Sequence, residues 1–266
     1  MPDPSAVAVF ADLREEGREL EELVRELPAP GWAEPTPAPG WSIAHQIAHL
    51  HWTDRAALLS LTDPGGFGRM VEEAVAAPES FVDEGAAEGA LLAPAELLNR
   101  WRDTRTDLDA ALAVASPDIR FPWYGPPMKA ASMASARLME TWAHGQDVAD
   151  ALGVRRTPTA RLRHVARIGV RARDYAYAVR GLPAPAAEFR VELVAPDGSG
   201  TWTHGPADAA ERVTGPALDF CLLVTQRAHR ADLALTATGP EADRWLDIAQ
   251  AFAGPAGPGR APVASR

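Results

Sequence analysis

The chain has 266 residues, of which 47% are hydrophobic and 23% are charged, a composition typical of a globular protein with a sizeable core. Its net charge of −10 predicts an acidic surface, which disfavours nucleic-acid binding. The single cysteine, Cys221, excludes an internal disulfide and an all-thiolate zinc site, and its apolar neighbours indicate a buried structural thiol. No stretch approaches the roughly 18 apolar residues of a membrane span, and the N-terminus lacks a signal-peptide pattern, so we expect a soluble, cytoplasmic protein.

Helical periodicity dominates roughly the first 180 residues. Apolar side chains recur there at helical spacings, Ser42 is a typical N-cap, and Pro94 suits the first turn of a helix. Residues 67–92 predict a short helix followed by an irregular segment, and residues 116–128 predict a proline-rich loop. The four long helices predicted are 5–26, 43–62, one that starts at Pro94, and 129–152, and another helix follows at 157–180.

Beyond Pro183 the pattern changes to short, alternating segments. Residues 189–196 alternate as a strand does, with Val191, Leu193 and Ala195 on one face. A hairpin turn after this strand is predicted by Asp197-Gly198. The other predicted elements are strands at 201–205, 210–215 and 231–238 and helices at 217–230 and 241–253.

These elements predict an α+β protein with two domains. Residues 1–182 form an N-terminal helical bundle of four long helices, and residues 183–255 form a small C-terminal α/β domain. The Gly- and Pro-rich segment 256–266 is predicted to be a disordered tail.

Histidines and a carboxylate are concentrated on two of the predicted helices. Glu140 and His144 are four residues apart, so they share one helix face and can reach one metal ion. On the second helix His45 and His49 share a face, while His51 points elsewhere and is expected to face solvent. A surface ion pair or a hydrogen-bonded core histidine would explain each group alone, but their combination on two long helices favours a metal site. His45 either contacts one of the metal ligands without binding the metal itself, or it replaces one of them as a ligand.

Two segments carry a resemblance to a known family. WSIAHQIAHLHWTDR, residues 41–55, and RLMETWAHGQDVADALG, residues 137–153, resemble the two metal-ligand helices of the DinB superfamily. They are most similar to those of the mycothiol-dependent maleylpyruvate isomerase family of actinobacteria. LDFCLLVTQR and TATGPEADRWLDIAQAFAG resemble the small C-terminal domain found in an actinobacterial, metal-binding branch of that family.

The resemblance implies a DinB-like bundle in which His49, Glu140 and His144 bind one divalent metal, Zn²⁺ in the first place and Ni²⁺ as the alternative. Two imidazoles and one carboxylate leave a coordination position open, as in catalytic zinc sites. The resemblance also implies mycothiol as co-substrate, whose thiolate attacks an electrophilic small molecule for S-transfer or isomerisation. The cation stabilises that thiolate near neutral pH.

Roles at the site are predicted for four further residues, of which Arg227 and Asp147 are the predicted catalytic residues and Arg227, Trp123 and Tyr124 the predicted cofactor-binding residues. Arg227 matches the family's functional C-terminal arginine and would contact substrate or mycothiol, unless it is a cation that faces solvent. Trp123 and Tyr124 either line the mouth of the cleft or simply pack. Asp147, one turn beyond the second histidine ligand, either supports the site or lies on the surface.

Two other classes of function use the same three ligands. A hydrolase or lyase would activate water at the metal, with Asp147 or His45 as base. A metal-binding stress or regulatory protein would use the bundle as a scaffold without catalysis. In each case we expect no nucleic-acid or membrane partner and a monomer or homodimer.

Overall fold

The computed structural model of the protein describes residues 4–77, 80–257 and 259–263. The chain divides into two compact units, Met1–Arg156 and Thr157–Arg266. The predicted domain boundary after residue 182 stays a prediction. So does the disorder of the tail 256–266, in which residues 258 and 264–266 lie outside the described part of the chain.

The first unit is built from helices. The second of them, α2, begins directly after Ser42, whose hydroxyl and backbone N–H both lie within hydrogen-bonding distance of the His45 Nδ1 atom, at 2.8 and 3.3 Å. The helices described in this unit are α1 (Pro4–Val24), α2 (Ile43–Thr62), α3 (Pro64–Ala76), α4 (Phe81–Ala90), α5 (Pro94–Val114) and α6 (Ala130–Ala151).

The segment 67–92 differs from its prediction, because it contributes to two helices, α3 and α4. Asp63, which ends α2, also caps α3: its Oδ1 accepts a hydrogen bond of 2.9 Å from the Gly66 backbone N–H. Pro64 occupies the first turn of α3, where its missing N–H costs nothing. The Asp63-Pro64 pair that ends α2 therefore also starts α3.

Helix α2 lies at the centre of the bundle, in contact with α4, α5 and α6, while α1 packs on α5 and α6. Its approach to α4 is close, since a Cβ at Gly89 would come within 2.7 Å of the Ala48 Cβ. One apolar cluster combines Ile47 of α2 with Trp101 of α5, both fully buried. This packing fixes α2 against α6, which matters because the candidate ligands are divided between these two helices.

The second unit is built around a four-stranded mixed sheet, in which the strands, numbered in chain order, are arranged β2-β1-β3-β4. Strands β1 and β3 are parallel, and the two outer pairs are antiparallel. The predicted apolar face of β1 is confirmed, because Val191, Leu193 and Ala195 are all buried. The elements of this unit are α7 (Leu162–Arg171), α8 (Arg173–Ala178), β1 (Phe189–Val194), β2 (Thr201–His204), β3 (Glu211–Pro216), α9 (Ala217–Val224), β4 (Thr236–Thr238) and α10 (Pro240–Ile248).

Several predicted elements of this unit are shorter than expected. The helix predicted to reach residue 230 ends at Val224, because Gln226 takes a left-handed φ of 59°. The Arg227 N–H then bonds to the Leu222 carbonyl at 2.8 Å, and the Gln226 N–H bonds to the Leu223 carbonyl, which is a Schellman cap. The other shortened elements are the helix 157–180, which becomes α7 and α8, the strand 231–238, which becomes β4, and the helix 241–253, which becomes α10.

The predicted α+β class is confirmed by this arrangement of a helical unit followed by a unit with a sheet. The largest buried side chains, which include Trp101 and Trp245, show that both units have apolar cores of their own. Within the described ranges, each helix is too short or too polar to cross a lipid bilayer.

Candidate metal centre

His49 on α2 meets Glu140 and His144 on α6. The Nε2 atom of His49 lies 3.5 Å from Glu140 Oε2, and the Nε2 atom of His144 lies 3.2 Å from the same oxygen. The two imidazole rings are 4.5 Å apart between centroids. One ligand atom from each residue lies within 4.8 Å of the others, so the three predicted ligands converge on one point. Binding of a metal at that point stays a prediction.

The spacing of these atoms suits a small divalent cation. Tetrahedral zinc with bonds of about 2.0–2.1 Å places its ligand atoms about 3.3 Å apart, close to the two distances at Glu140 Oε2. Imidazole and carboxylate are both common zinc ligands. The buried Nδ1 atom of His49 has no hydrogen-bond partner among the described residues, a costly state that is typical of functional sites. The residues present therefore fit a divalent metal.

Glu140 is an ionised carboxylate in this environment. Burial alone would raise its pKa, but the hydrogen bonds and charges of His144 and His49 outweigh burial and hold the pKa well below its usual value. The side chain keeps about a fifth of its surface exposed, at 22%. The centre thus offers one carboxylate charge and two imidazole rings to a metal ion.

A chain of hydrogen bonds fixes the ring of His144. Its Nδ1 atom lies 2.5 Å from the Gln46 Oε1 atom. The Gln46 amide nitrogen donates to the Thr36 hydroxyl, and this hydroxyl donates to the Trp41 carbonyl, both at 2.8 Å. Because the Gln46 oxygen can only accept, His144 donates from Nδ1, and its Nε2 atom faces Glu140, where a metal could take the place of a proton.

Trp41 covers the two rings from one side. Its ring lies 5.9 Å from the His144 ring and nearly parallel to it, at 19°, and 5.3 Å from the His49 ring. The indole N–H donates to Asp83 on α4 at 3.0 Å, which holds Trp41 in place. The Trp41 ring therefore shields one face of the histidine pair.

A buried ion pair supports the centre from one turn away on both helices. Arg137 on α6 donates from Nε to Asp54 Oδ1 on α2 at 2.9 Å, and both side chains are almost fully buried. Arg137 also donates to the Thr53 hydroxyl at 2.6 Å, and the Trp101 indole N–H donates to Asp54 at 3.2 Å. These bonds connect α2, α5 and α6 and set the register in which His49 faces Glu140.

Trp123 and Tyr124 belong to an aromatic cluster in the same unit. Trp123 stacks on Phe67 with centroids 5.7 Å apart, and Tyr124 lies 6.4 Å from Trp52. Trp52 in turn lies 6.3 Å from the His49 ring, so the cluster leads to the metal centre. Burial, followed by the charge of Glu73, raises the pKa of Tyr124 to about 12. The role of Trp123 and Tyr124 at a cleft mouth stays a prediction.

The other two histidines of α2 have separate partners. His45 forms the N-terminal cap with Ser42, at 2.8 Å, and is not among the three converging residues. His51 lies 3.2 Å from the Thr104 hydroxyl on α5, and burial, with the charge of Arg55, lowers its pKa to about 4. The expectation that His51 is solvent-exposed is therefore wrong, since it is half-buried against α5.

The two predicted catalytic residues have different environments. Asp147 is buried on α6, one turn beyond His144, so the surface alternative for it is wrong. Arg227 lies in the second unit, just beyond the end of α9, and its Nη1 donates to the Thr225 carbonyl at 2.7 Å. Catalytic roles for both residues stay predictions.

Sequence reasoning missed Gln46 and Trp41, the two residues that contact the histidine pair most directly. Gln46 lies three residues before His49 and therefore on the same face of α2, which is a signal that a polar, core-facing residue supports the ligand. Trp41 stands just outside the helix, at the end of a proline-rich connector, where helical periodicity gives no information.

Comparison with solved structures shows where this fold occurs. The chain is similar to a crystal structure of the mycothiol-dependent maleylpyruvate isomerase, with a TM-score of 0.59 and 19% identity. A mutant of that enzyme matches with a TM-score of 0.58 and 18% identity. Both matches cover 89% of this chain and 95% of the other, so the overall DinB-like fold is shared.

Sequence comparisons give the family. Two proteins of Mycobacterium tuberculosis, each from a different strain and each named an uncharacterized protein, are 57% identical over 260 residues, which is 98% of this chain and 100% of theirs. A family model described as wyosine base formation matches residues 185–238. The model of the mycothiol maleylpyruvate isomerase N-terminal domain matches residues 13–149, more than half of the chain. The chain therefore belongs to the mycothiol maleylpyruvate isomerase family.

Proposed function

We propose that this protein is a metal-dependent enzyme that activates the thiol of mycothiol for attack on an electrophilic small molecule. The convergence of His49, Glu140 and His144 within 4.8 Å carries this proposal. It is supported by the family, whose name includes mycothiol, and by the names of the two structural neighbours. The outcome for the substrate is isomerisation or S-transfer.

The metal we propose is Zn²⁺, with Ni²⁺ as the alternative, since imidazole and carboxylate ligands accept both ions. When bound, such a cation supplies Lewis-acid stabilisation of a thiolate near neutral pH. Glu140 contributes the negative charge that offsets the cation. His49 and His144 contribute one nitrogen each, and the three ligands leave a position for the thiol.

The residues around the ligands orient them and shield one face of the histidine pair. Gln46 accepts the Nδ1 proton of His144 and so favours the tautomer whose Nε2 atom can bind a metal. Trp41 covers one side of the His49 and His144 rings, so a co-substrate would approach them from the remaining sides. The Arg137–Asp54 pair holds the two ligand helices in register. Each of these features favours a site prepared before the co-substrate arrives.

The thiol must come from a co-substrate in this proposal. Cys221, the only cysteine of the chain, is fully buried in the second unit, and burial raises the pKa of its thiol. A buried neutral thiol is a poor nucleophile. A protein with a thiolate-stabilising metal site and no reactive cysteine of its own is consistent with an external thiol.

The decisive experiment is calorimetric titration of the zinc-loaded protein with mycothiol near neutral pH, in buffers of different ionisation enthalpy. We expect binding with release of close to one proton per chain, because the thiol ionises on the metal site. S-methyl mycothiol, which has no ionisable thiol, should bind more weakly and release no proton. The His144→Ala variant should lose the proton release.

The same titration separates the alternatives. Zinc binding without any effect of mycothiol would contradict the proposed co-substrate and favour activation of water by a hydrolase or lyase. Mycothiol binding without proton release would place the thiol away from the metal and contradict thiol activation. Where mycothiol binds as proposed, maleylpyruvate is the first electrophile to test, with isomerisation followed in the presence and absence of mycothiol.

The setting we propose is the cytoplasm, where a low-molecular-weight thiol stays reduced. The chain would act there as a monomer or homodimer on a small-molecule substrate.

A further inference from the structure

The second unit contains a cavity of its own, with a volume of about 640 Å³. All of its lining residues belong to Thr157–Arg266, and the three candidate metal ligands belong to the other unit. Its apolar wall includes Leu233 and Leu235, which keep part of their surface exposed, above the buried Leu223 and Leu246. The volume is within the range of about 300–1,000 Å³ that is typical of small-molecule sites.

Arg180 lines this cavity, and its guanidinium is held in place by hydrogen bonds to the protein. Its Nη1 donates to the Ala176 carbonyl at 2.9 Å and to the Gln250 Oε1 atom at 3.4 Å. Gln250 is itself buried, and its amide nitrogen donates to the carbonyls of Phe252 and Gly254 at 3.1 and 2.9 Å. Those two bonds turn the Gln250 oxygen toward Arg180. Nε and Nη2 of Arg180 are not used by any of these bonds and remain for a ligand.

Arg180 lacks a counter-charge, in contrast to a second arginine of the cavity. Arg230 is paired with Asp243 and, at 2.6 Å, with Asp247. No carboxylate of the described residues lies within ion-pairing distance of Arg180. Burial lowers the pKa of the Arg180 guanidinium, which is the expected cost of an uncompensated cation. An anion beside it would relieve that cost.

His229 adds a neutral donor to the same cavity. Its Nδ1 atom accepts a hydrogen bond of 3.1 Å from the Ala231 backbone N–H. The neutral imidazole therefore carries its proton on Nε2 and offers an N–H donor there. A cation and an N–H donor together on a leucine-lined wall suit a ligand with one anionic end and an apolar body.

We propose that this cavity binds a small carboxylate with an apolar body, with the carboxylate at Arg180 and the body against Leu233 and Leu235. The His229 Nε2–H is a second donor for the carboxylate. This inference does not depend on the metal centre, because every residue that carries it lies in the second unit.

The test compares three probes by calorimetric titration of the full-length protein. The first, 4-phenylbutyrate, has both the charge and the apolar body. The second, 4-phenylbutyramide, has the same body without the charge, and inorganic phosphate has a charge without the body. We expect the carboxylate to bind about tenfold more tightly than the amide, and phosphate to bind least well.

Variants assign the difference to Arg180. Arg180→Gln should weaken carboxylate binding to the level of the amide and leave the amide unchanged, whereas Arg180→Lys should recover part of the loss. Arg244→Gln is the matched control, because Arg244 is exposed in the same unit and does not line the cavity. Equal binding of carboxylate and amide to the unmodified protein would overturn the proposal, and so would no binding of any probe. Unchanged carboxylate binding to a folded Arg180→Gln variant would overturn it as well.

Discussion

Gln46 and His144 form a side-chain contact of 2.5 Å that joins α2 to α6. His49, the ligand candidate of α2, lies three residues after Gln46, so one helix face carries both a candidate ligand and the support for the other histidine. The amide nitrogen of Gln46 is engaged by Thr36 at 2.8 Å, which keeps its oxygen toward His144. This relationship makes the orientation of His144 depend on a residue of the opposite helix.

Gln46→Leu should weaken zinc binding by about 10- to 100-fold, because the His144 ring loses the acceptor that fixes its tautomer. Competition with a chromophoric chelator at neutral pH measures the affinity. Gln146→Leu is the control, since Gln146 is on α6 but bonds to Asp150. An affinity for zinc in Gln46→Leu equal to that of the unmodified protein would show that Gln46 does not support the site.

Removing one partner of the buried Arg137–Asp54 pair should cost much stability. Asp54→Leu leaves the Arg137 cation buried without its partner and should lower the free energy of unfolding by about 3–5 kcal/mol, measured by urea denaturation. The double variant Asp54→Leu/Arg137→Met should recover most of this loss, but not all, because the Trp101 N–H still lacks its acceptor.

A surface pair serves as the comparison for that series. Glu96→Ala breaks the exposed pair with Arg100 and should change the free energy of unfolding by about 1 kcal/mol or less. Additive losses in the double variant, with no recovery, would mean that Asp54 and Arg137 stabilise the bundle independently.

Cys221 should be unreactive in the folded protein. Burial raises the pKa of its thiol, and its Sγ lies 3.5 Å from the Leu162 carbonyl, so very little thiolate is present at pH 8. Iodoacetamide should leave the native protein unmodified and label one thiol per chain in urea, as read by mass spectrometry. Labelling of the native protein as fast as a free cysteine would contradict the claim that the thiol must come from a co-substrate.

Helix positions in the first unit follow from local signals in the sequence. Ser42 and Pro94 predict two helix starts, and in the structure these helices begin at Ile43 and Pro94. The prediction is accurate because capping and proline chemistry act within one turn of the helix. The end of α9 could not be predicted in this way, because its cap is formed by Gln226, a residue type with no preference for a left-handed conformation. Strand β4 is shorter than predicted because Arg230–Asp232 form a turn of 3-10 helix, which His229 caps by accepting from the Ala231 N–H.

The candidate site was predictable only in its ligand residues. Glu140 and His144 have a helical i, i+4 spacing, and a family resemblance singles out these two residues together with His49. Trp41 and Asp83 are 42 residues apart and meet through the packing of α4 on α2, which no local pattern encodes. The pairing of Arg137 with Asp54 is likewise a tertiary contact between helices far apart in sequence.

The central claim is that two helices bring two imidazoles and one carboxylate to a single cation, and metal content measures it most directly. Elemental analysis of the purified, zinc-dialysed protein should give one zinc per chain. His49→Ala, Glu140→Ala and His144→Ala should each lose it, while His45→Ala should keep it, because His45 caps α2 through Ser42. Absence of zinc from the unmodified protein, or its retention in all three ligand variants, would contradict the account.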